Sequence, residues 1–387
     1  MDEKMNPVRS SARNWLRLSL SGRIRAAGKS LIESFGSPVH LFKASTKEII
    51  RRGFKQKLAE EIQRIKDCNV DRELSLIEKN EINIITLLDK EYPASLKLIS
   101  VPPLVLYVCG EILPQDCFSI AIVGSRLASL YGIKTAERLS RELSCRGWTI
   151  ISGMARGIDT AAHKGALKSG GRTIAVLGCG LDIIYPSENK KLRNEIMLQG
   201  AIISEFPLGT PPEKFNFPIR NRIISGFSLG TIVVEAAKRS GALITANYAL
   251  EQGKEIFAVP GHINSSTSQG THQILKEGAK LVENADDILE ELQPIIKSHL
   301  KKLKQKQAKD SLKITEDSSH KGLMPRLNAE EEKIYNFLSS YEAKYIDEIS
   351  KELNFPPFRV LTILSMLELK KLVKRLPGQR FCKEGVA

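Results

Sequence analysis

The sequence predicts an α/β protein built on a doubly wound, mostly parallel sheet, and two observations support this. Between residues 119 and 282, short apolar runs such as 120–123 alternate with segments of helical periodicity. The runs lack the polar alternation of half-exposed strands, which is typical of parallel strands covered by helices on both faces. Small-residue loops such as Gly124-Ser125 and Ser152-Gly153 follow the runs, so we expect a ligand edge at the carboxyl ends of the strands.

The length of the chain indicates how many domains it holds, and its charge indicates what kind of molecule it binds. The 387 residues suffice for two or three domains. The formal charge of +14 and the pI of about 9.4 favour a polyanionic partner, although excess charge also serves solubility. No domain is a basic block, so a nucleic-acid site must be a local cluster that folding brings together.

Several classes of site and location are disfavoured. The six cysteines include no CxxC pair, and no histidine has metal-ligand spacing, so we expect no metal and no disulfide framework. There is no GxxxxGK[ST], and Gly124-Ser125-Arg126 after the first core run is not a GxGxxG fingerprint, so we expect no nucleotide cofactor. Without a long apolar run or a signal-peptide pattern, we expect a cytoplasmic protein.

Residues 1–82 predict a small helical domain that resembles SAM or helix-hairpin-helix modules. Gly36 and Gly53 lie in turns between short helices, and Ser45 with Glu48 marks a helix start. Such modules hold DNA backbone through the N–H groups of their turns. A docking or dimerisation domain explains the pattern equally well.

Residues 83–295 form the extended Rossmann-like core, in which strands and helices alternate in chain order. We predict strands at 82–88, 104–108, 120–123, 148–151, 173–177, 201–203, 231–234, 255–259 and 280–281. Helices are expected at 132–146, 159–168, 190–198, 242–252 and 271–277, and a further helix opens with Arg222.

The remainder divides into a basic linker, 296–326, and a winged-helix domain, 327–387. Three helices are predicted at 331–338, 346–353 and 358–369, and Pro377-Gly378 forms the turn of a hairpin. The third helix carries Arg359 as its only basic residue. A helix that reads the major groove offers several polar side chains to the edges of the DNA bases. We therefore favour a protein contact or a weak backbone contact for this domain.

The expected edge of the sheet collects cations and two aromatic rings. Forked arginine donors suit phosphate, and Phe215 or Phe217 suits stacking on a base. The alternative is that both rings belong to the core and the arginines are solvated. The basic residues on these loops are Arg126, Arg156, Arg220, Arg222, Lys238 and Arg239.

Long motifs in this region resemble one family. They include VGSR at 123–126, SGMARGIDTAAHKGAL at 152–167, AVLGCGLDIIYPSEN at 175–189, SEFPLGTPP at 204–212, FPIRNRIISGFS at 217–228 and VVEAAKRSGALITANYALEQGKEIFAVPG at 233–261. The chain is identified as a member of the DNA-processing protein A (DprA/Smf) family. The resemblance implies a dimeric Rossmann-like core that binds single-stranded DNA. It also implies loading of the RecA recombinase during natural transformation, with single-strand-binding protein as a further partner.

Carried over by motif, the resemblance implies a set of DNA-binding residues. Asn221 has an alternative role as a helix cap, and the glycines of the set are also explained by turn geometry. Ile219 departs from the family, which often has a basic residue there, and this leaves one phosphate contact in question. For Asp159 and His163 we favour structural roles. The implied DNA-binding residues are Ser125, Arg126, Gly153, Arg156, Gly157, Phe217, Arg220, Asn221, Arg222 and Lys238.

A nucleotide phosphoribohydrolase-like enzyme is the alternative function, although we expect no enzymatic activity. Residues 228–231 before Glu235 loosely resemble the glycine-rich loop and catalytic glutamate of that class, without its double glycine. A double-stranded DNA regulator is a weaker interpretation because the third winged-helix helix is apolar.

Overall fold

A computed structural model describes residues 7–296, 327, 329–339, 342–355, 357–369, 372–376 and 380–384. The predicted linker beyond residue 296 and the Pro377-Gly378 turn lie outside these ranges. Residues up to 292, apart from 145–147, belong to one compact unit, and the winged helix belongs to another. No helix in the described ranges is both long and apolar enough to cross a bilayer.

The N-terminal part is helical, as expected. Its helices are α1 (Pro7–Ser19), α2 (Gly22–Phe35), α3 (Pro38–Lys43), α4 (Thr46–Arg51), α5 (Gln56–Ile65) and α6 (Asp71–Lys79). Ser45 caps α4 by accepting a hydrogen bond from Glu48 N at 3.2 Å. Leu16, Ile24 and Leu31 are fully buried and form part of the core of these helices.

The central sheet has nine strands in the order β1-β2-β6-β5-β4-β3-β7-β8-β9. The pairing is parallel from β6 to β9, whereas β1 and β2 pair antiparallel at one edge. Strands β2 to β7 are buried almost throughout, as continuous apolar runs predict. The strands are β1 (Asn83–Thr86), β2 (Val105–Gly110), β3 (Ser119–Val123), β4 (Thr149–Ser152), β5 (Thr173–Val176), β6 (Ala201–Ser204), β7 (Gly230–Val233), β8 (Glu255–Ala258) and β9 (Lys280–Leu281).

The strand order reverses at β3, which pairs with β4 on one side and β7 on the other. In open α/β sheets this switch point opens a crevice at the carboxyl ends of the strands. The helices of this part are α7 (Ala94–Lys97), α8 (Leu130–Cys145), α9 (Ile158–Lys168), α10 (Lys190–Gln199), α11 (Asn216–Phe227), α12 (Gly241–Glu251), α13 (Gln269–Lys276) and α14 (residues 285–296).

One helix begins earlier than the sequence indicates. Helix α11 starts at Asn216, so the expectation that a helix opens with Arg222 is wrong. Pro218 lies in the first turn, where its missing N–H has no intrahelical partner to lose. Because α11 runs from the end of β6 back to the start of β7, its first turn lies at the strand-end edge and later residues lie deeper.

The C-terminal unit has the predicted helices and hairpin strands. It consists of α15 (Ala329–Phe337), β10 (Lys344–Tyr345), α16 (Ile346–Leu353), α17 (Pro357–Leu369), β11 (Val373–Leu376) and β12 (Arg380–Lys383). The strands form an antiparallel sheet in the order β10-β12-β11. Arg359, the base of the third helix, pairs with Glu330 at 2.7 Å, so its charge is already matched.

Candidate nucleic-acid interface

The loops after β3, β4 and β7 meet at the switch point through backbone hydrogen bonds. Ser125 N donates to Glu235 O at 2.7 Å, and Ile158 N donates to Ser125 O at 3.2 Å. The VGSR and SGMARGID motifs, separated by 26 or more residues, are therefore in direct contact. These main-chain hydrogen bonds form part of the floor of the crevice.

Two glycines make this contact possible. Gly157 has a φ of +73°, and a Cβ there would collide with the Ser125 carbonyl oxygen. A Cβ on Gly153 would lie 2.5 Å from Nη1 of Arg220. Close packing therefore accounts for both glycines, in agreement with the turn-geometry explanation.

Two buried acids hold the loops. Glu235 accepts hydrogen bonds from Ser129 N at 2.9 Å and from the Ser129 hydroxyl, which ties the β3 loop to the end of β7. Asp159 accepts from Gly153 N at 3.1 Å and from Ala155 N at 3.3 Å. Burial raises the pKa of Asp159, and the Arg220 charge opposes that rise. The geometry gives both carboxylates structural roles, and that of Asp159 is to hold the loop after β4.

Phe217 is the centre of a cluster at the mouth of the crevice. The Arg126 guanidinium carbon lies 4.8 Å from the Phe217 ring centroid, and that of Arg220 lies 5.9 Å away. The Tyr185 ring packs on the same phenyl group with a centroid separation of 5.7 Å. Arg126 is exposed and Phe217 is partly buried, so the cluster presents an exposed guanidinium next to a supported ring.

Arg220 is built into the wall of the crevice. Only 3% of the residue is exposed, and Nη1 donates to Gly153 O at 2.7 Å and also to Val176 O. Burial lowers its pKa to about 10, and the Asp159 carboxylate opposes the change. The hydrogen bonds to the Gly153 and Val176 carbonyls give Arg220 a structural role.

The next two residues of α11 differ from their expected roles. Asn221 lies inside the helix rather than at its cap, and its Oδ1 accepts from Arg220 Nε at 3.1 Å. Arg222 is buried and donates through Nη2 to Glu205 Oε2 at 2.6 Å. The pair with a buried carboxylate gives Arg222 a structural role, and its contact with DNA stays a prediction.

The remaining cations are exposed on loop tips. Arg156 pairs with Glu188, and 64% of the Arg156 side chain is accessible. The hydrogen bond from Arg156 holds the pKa of Glu188 below its usual value. Lys238 is exposed on the loop after β7, and Phe215 is 63% exposed. The suggestion that both phenylalanines are core residues is therefore wrong for Phe215.

The sequence interpretation missed Tyr185, Glu188 and Glu205. Each acts through a partner at least 17 positions away, namely Phe217, Arg156 and Arg222. Local spacing carries no signal for such contacts. Within the described ranges, no cluster of three or more His, Cys, Asp or Glu side chains is arranged to hold a metal ion.

The model of the family described as "DNA recombination-mediator protein A" matches residues 83–293. The chain belongs to this family, DprA/Smf. A second model, "DprA winged helix domain", matches residues 321–379. The resemblance inferred from the motifs is thereby confirmed, together with the Rossmann-like core and the C-terminal winged helix.

Relatives from several bacteria are similar to part of the chain. The chain is 46% identical to Protein Smf of Escherichia coli over 226 residues, which are 58% of this chain and 60% of that protein. It is 43% identical to the DNA processing protein DprA of Bacillus subtilis over 57% of this chain and 75% of that protein. The alignment thus spans less than two thirds of the E. coli protein.

Solved structures extend the likeness to three dimensions. DprA of Streptococcus pneumoniae superposes with a TM-score of 0.63 at 37% identity, covering 72% of this chain and 97% of that one. DprA of Helicobacter pylori, whose structure concerns a single-stranded DNA binding mode, gives a TM-score of 0.50 at 31% identity over 55% of this chain and 96% of that one.

Proposed function

We propose that this chain binds single-stranded DNA at the strand-end edge of its sheet. The observation that carries the proposal is the exposed Arg126 guanidinium beside the Phe217 ring at the topological switch point. Cations next to an aromatic ring suit a ligand that combines phosphates with bases. The single-stranded DNA binding named for the H. pylori relative supports the same ligand class.

The exposed cations supply the phosphate contacts in this proposal. Arg126, Arg156 and Lys238 are exposed on three different loops, so together they follow an extended backbone rather than one phosphate. Contacts of this kind position the strand without reading its sequence. The backbone of the β4 loop, which includes Gly153 and Gly157, forms the floor on which the strand lies.

The exposed rings account for the preference for a single strand. Phe215 and Tyr185 present accessible faces at the edge, whereas the Phe217 ring is engaged by Arg126 and Tyr185. A base stacks on an aromatic ring only when it is free of its neighbours in a duplex, and each such stack contributes about 1–3 kcal/mol. We therefore assign base stacking to Phe215 and Tyr185 in preference to Phe217.

The test is an anisotropy titration with single-stranded and double-stranded DNA of one sequence at several salt concentrations. We expect Arg126→Ala to weaken single-strand binding about tenfold and to flatten the salt slope by about 0.7. Arg141→Ala is the matched control, because Arg141 is equally exposed but lies near the far end of α8. Unchanged affinity and slope in both Arg126→Ala and Arg156→Ala would move the site elsewhere.

We further propose that the chain is cytoplasmic, dimeric and hands its strand to RecA in recombination and natural transformation. Membership of the recombination-mediator family supports this role. On DNA coated with single-strand-binding protein, the chain is expected to shorten the lag before RecA hydrolyses ATP, and Arg126→Ala is expected to restore the lag. A lag that the wild-type chain leaves unchanged contradicts the RecA role.

The proposed role is one of binding without catalysis. Glu235, the residue of the alternative phosphoribohydrolase function, is buried and engaged by Ser129. Incubation with nucleoside monophosphates is expected to release no free base. Turnover that disappears in Glu235→Gln would establish the enzymatic alternative instead.

A further inference from the structure

We propose that the N-terminal helical domain acts as a buttress for the β6–α11 loop, residues 205–215, and so positions the aromatic residues of the DNA edge. The inference rests on the proposed function, because it explains how part of that same site is held. It assigns the helical domain a positioning role in place of direct DNA binding through its turns. Arg25 of α2 is the positioning residue.

The first observation is a buried carboxylate shared by the N-terminal helices and the Rossmann-like part of the same compact unit. Glu205, the first residue of the β6–α11 loop, accepts from Arg222 of α11 at 2.6 Å and contacts Arg25 Nε at 3.2 Å through the same oxygen, Oε2. Only 3% of the Glu205 side chain is exposed. A buried carboxylate needs opposite charge close by, and here one of its two partners comes from the helical domain.

Two more contacts from the helical domain reach the same loop. The Arg25 guanidinium carbon lies 5.1 Å from the ring centroid of Phe206. Glu73 of α6 accepts a hydrogen bond from Leu208 N at 2.9 Å. Two separate helices thus contact successive parts of residues 205–208, which makes the attachment broader than one ion pair.

The loop connects this attachment directly to the DNA edge. Its middle is fixed to the loop after β5, since Gly209 N donates to Asp182 Oδ1 at 2.8 Å and Gly180 N donates to Thr210 O at 2.9 Å. Its end is Phe215, and Phe217 follows in the first turn of α11. The helical domain therefore anchors the start of a segment whose other end carries the rings.

The two partners of Glu205 make the positioning role separable from folding. Removing Arg25 leaves the Arg222–Glu205 pair within the core, so the sheet keeps its internal contacts. The loop then loses its partner on α2 only. Because Arg25 lies outside the three loops of the crevice, its loss removes no phosphate contact.

The test compares the full-length wild type with Arg25→Met, Arg25→Lys and Arg23→Met. Arg23 is the matched control, because it lies on the same helix and is exposed. Hydrogen–deuterium exchange reports on residues 205–217, and anisotropy titration with single-stranded DNA reports affinity and salt slope. For Arg25→Met we expect faster exchange in this segment and about three- to tenfold weaker binding with an unchanged slope. Arg25→Lys, which keeps the charge, is expected to recover part of both.

The readouts separate this inference from the proposed function. Unchanged loop exchange in Arg25→Met overturns the buttress, whether or not the chain binds DNA. Faster exchange with wild-type affinity overturns the link from loop to site. A salt slope reduced by about 0.7 shows that Arg25 contacts phosphate itself, which also overturns the inference. A wild-type chain that does not bind single-stranded DNA refutes the proposed function, and the positioning role with it.

Discussion

The arginines of the loop tips and the arginines of α11 have the same chemistry and opposite surroundings. Arg126 and Arg156 are exposed, whereas Arg220 and Arg222 are buried and bonded to the Gly153 carbonyl and to Glu205. The loops lie at the crevice, whereas α11 runs from this edge towards the start of β7 and its arginine side chains are buried. An arginine therefore serves the ligand or the scaffold according to the direction of the element that bears it.

The largest difference between the two groups should appear in folding stability. We expect Arg222→Met to lower the free energy of unfolding by about 3–5 kcal/mol, because it leaves the buried Glu205 carboxylate short of one partner. Arg126→Met should change it by no more than about 0.5 kcal/mol, since an exposed side chain loses little. Urea denaturation followed by circular dichroism measures both values. Equal losses of unfolding free energy in the two variants would contradict the distinction between buried and exposed arginines.

Two glycines of similar φ compare a packed position on the crevice floor with an open one. Gly157 and Gly170 have φ values of +73° and +69°, but a Cβ meets nothing within 4 Å at Gly170. Gly170→Ala should cost about 1–2 kcal/mol for its positive φ. Gly157→Ala should cost about 1–3 kcal/mol more, because its ψ of −123° lies outside the left-handed helical region and the Ser125 carbonyl must also move. Thermal and urea unfolding of the pair give this difference directly, and a difference near zero would mean that the floor is not tightly packed.

The free energy of unfolding should also depend on pH, because the core contains a buried histidine. Burial lowers the pKa of His163 from 6.5 to about 3, and its Nδ1 bonds to the Thr173 hydroxyl at 2.6 Å. Below pH 6.5 the unfolded chain binds a proton that the folded chain excludes, so stability falls as the pH falls from 6.5 towards 3. The loss at pH 5 is about 2 kcal/mol. Urea midpoints measured from pH 7 to pH 5 should fall less in His163→Gln than in the wild type.

The smallest effect concerns the exposed pair of Arg156 and Glu188. Glu188 holds the guanidinium that we assign to phosphate, so Glu188→Gln should free it and tighten single-strand binding about two- to threefold. Lys191 forms a longer pair with Glu195 at 3.9 Å, which makes Glu195→Gln a control for the loss of one negative charge nearby. The anisotropy titration compares the two variants, and equal tightening in both would indicate a general charge effect.

Much of the fold follows from local sequence. The apolar runs predicted β3 to β9 within one or two residues, and the winged helix was predicted from three periodic segments and a hairpin pattern. Asn221 and Arg222 were less predictable. The sequence predicted a helix that opens with Arg222, whereas the helix begins at Asn216 and buries both side chains.

Only part of the candidate site could be predicted from the sequence, because some of its residues depend on partners on distant elements. Arg126, Arg156 and Lys238 lie on loops that follow strands, so the sequence predicts them at the common edge of a parallel sheet, and all three are exposed. Tyr185, Glu188 and Glu205 take their roles from partners on other elements.

Local sequence thus specified the strands, the small-residue loops and the edge where cations gather, because periodicity and turn chemistry act over a few residues. Only the tertiary structure decided which arginines face solvent, which acids neutralise the buried ones, and that the helical domain reaches the β6–α11 loop. Those outcomes depend on burial and on ion pairs between residues as distant as Arg25 and Glu205, and a charge buried by packing is stable only where packing also supplies its partner.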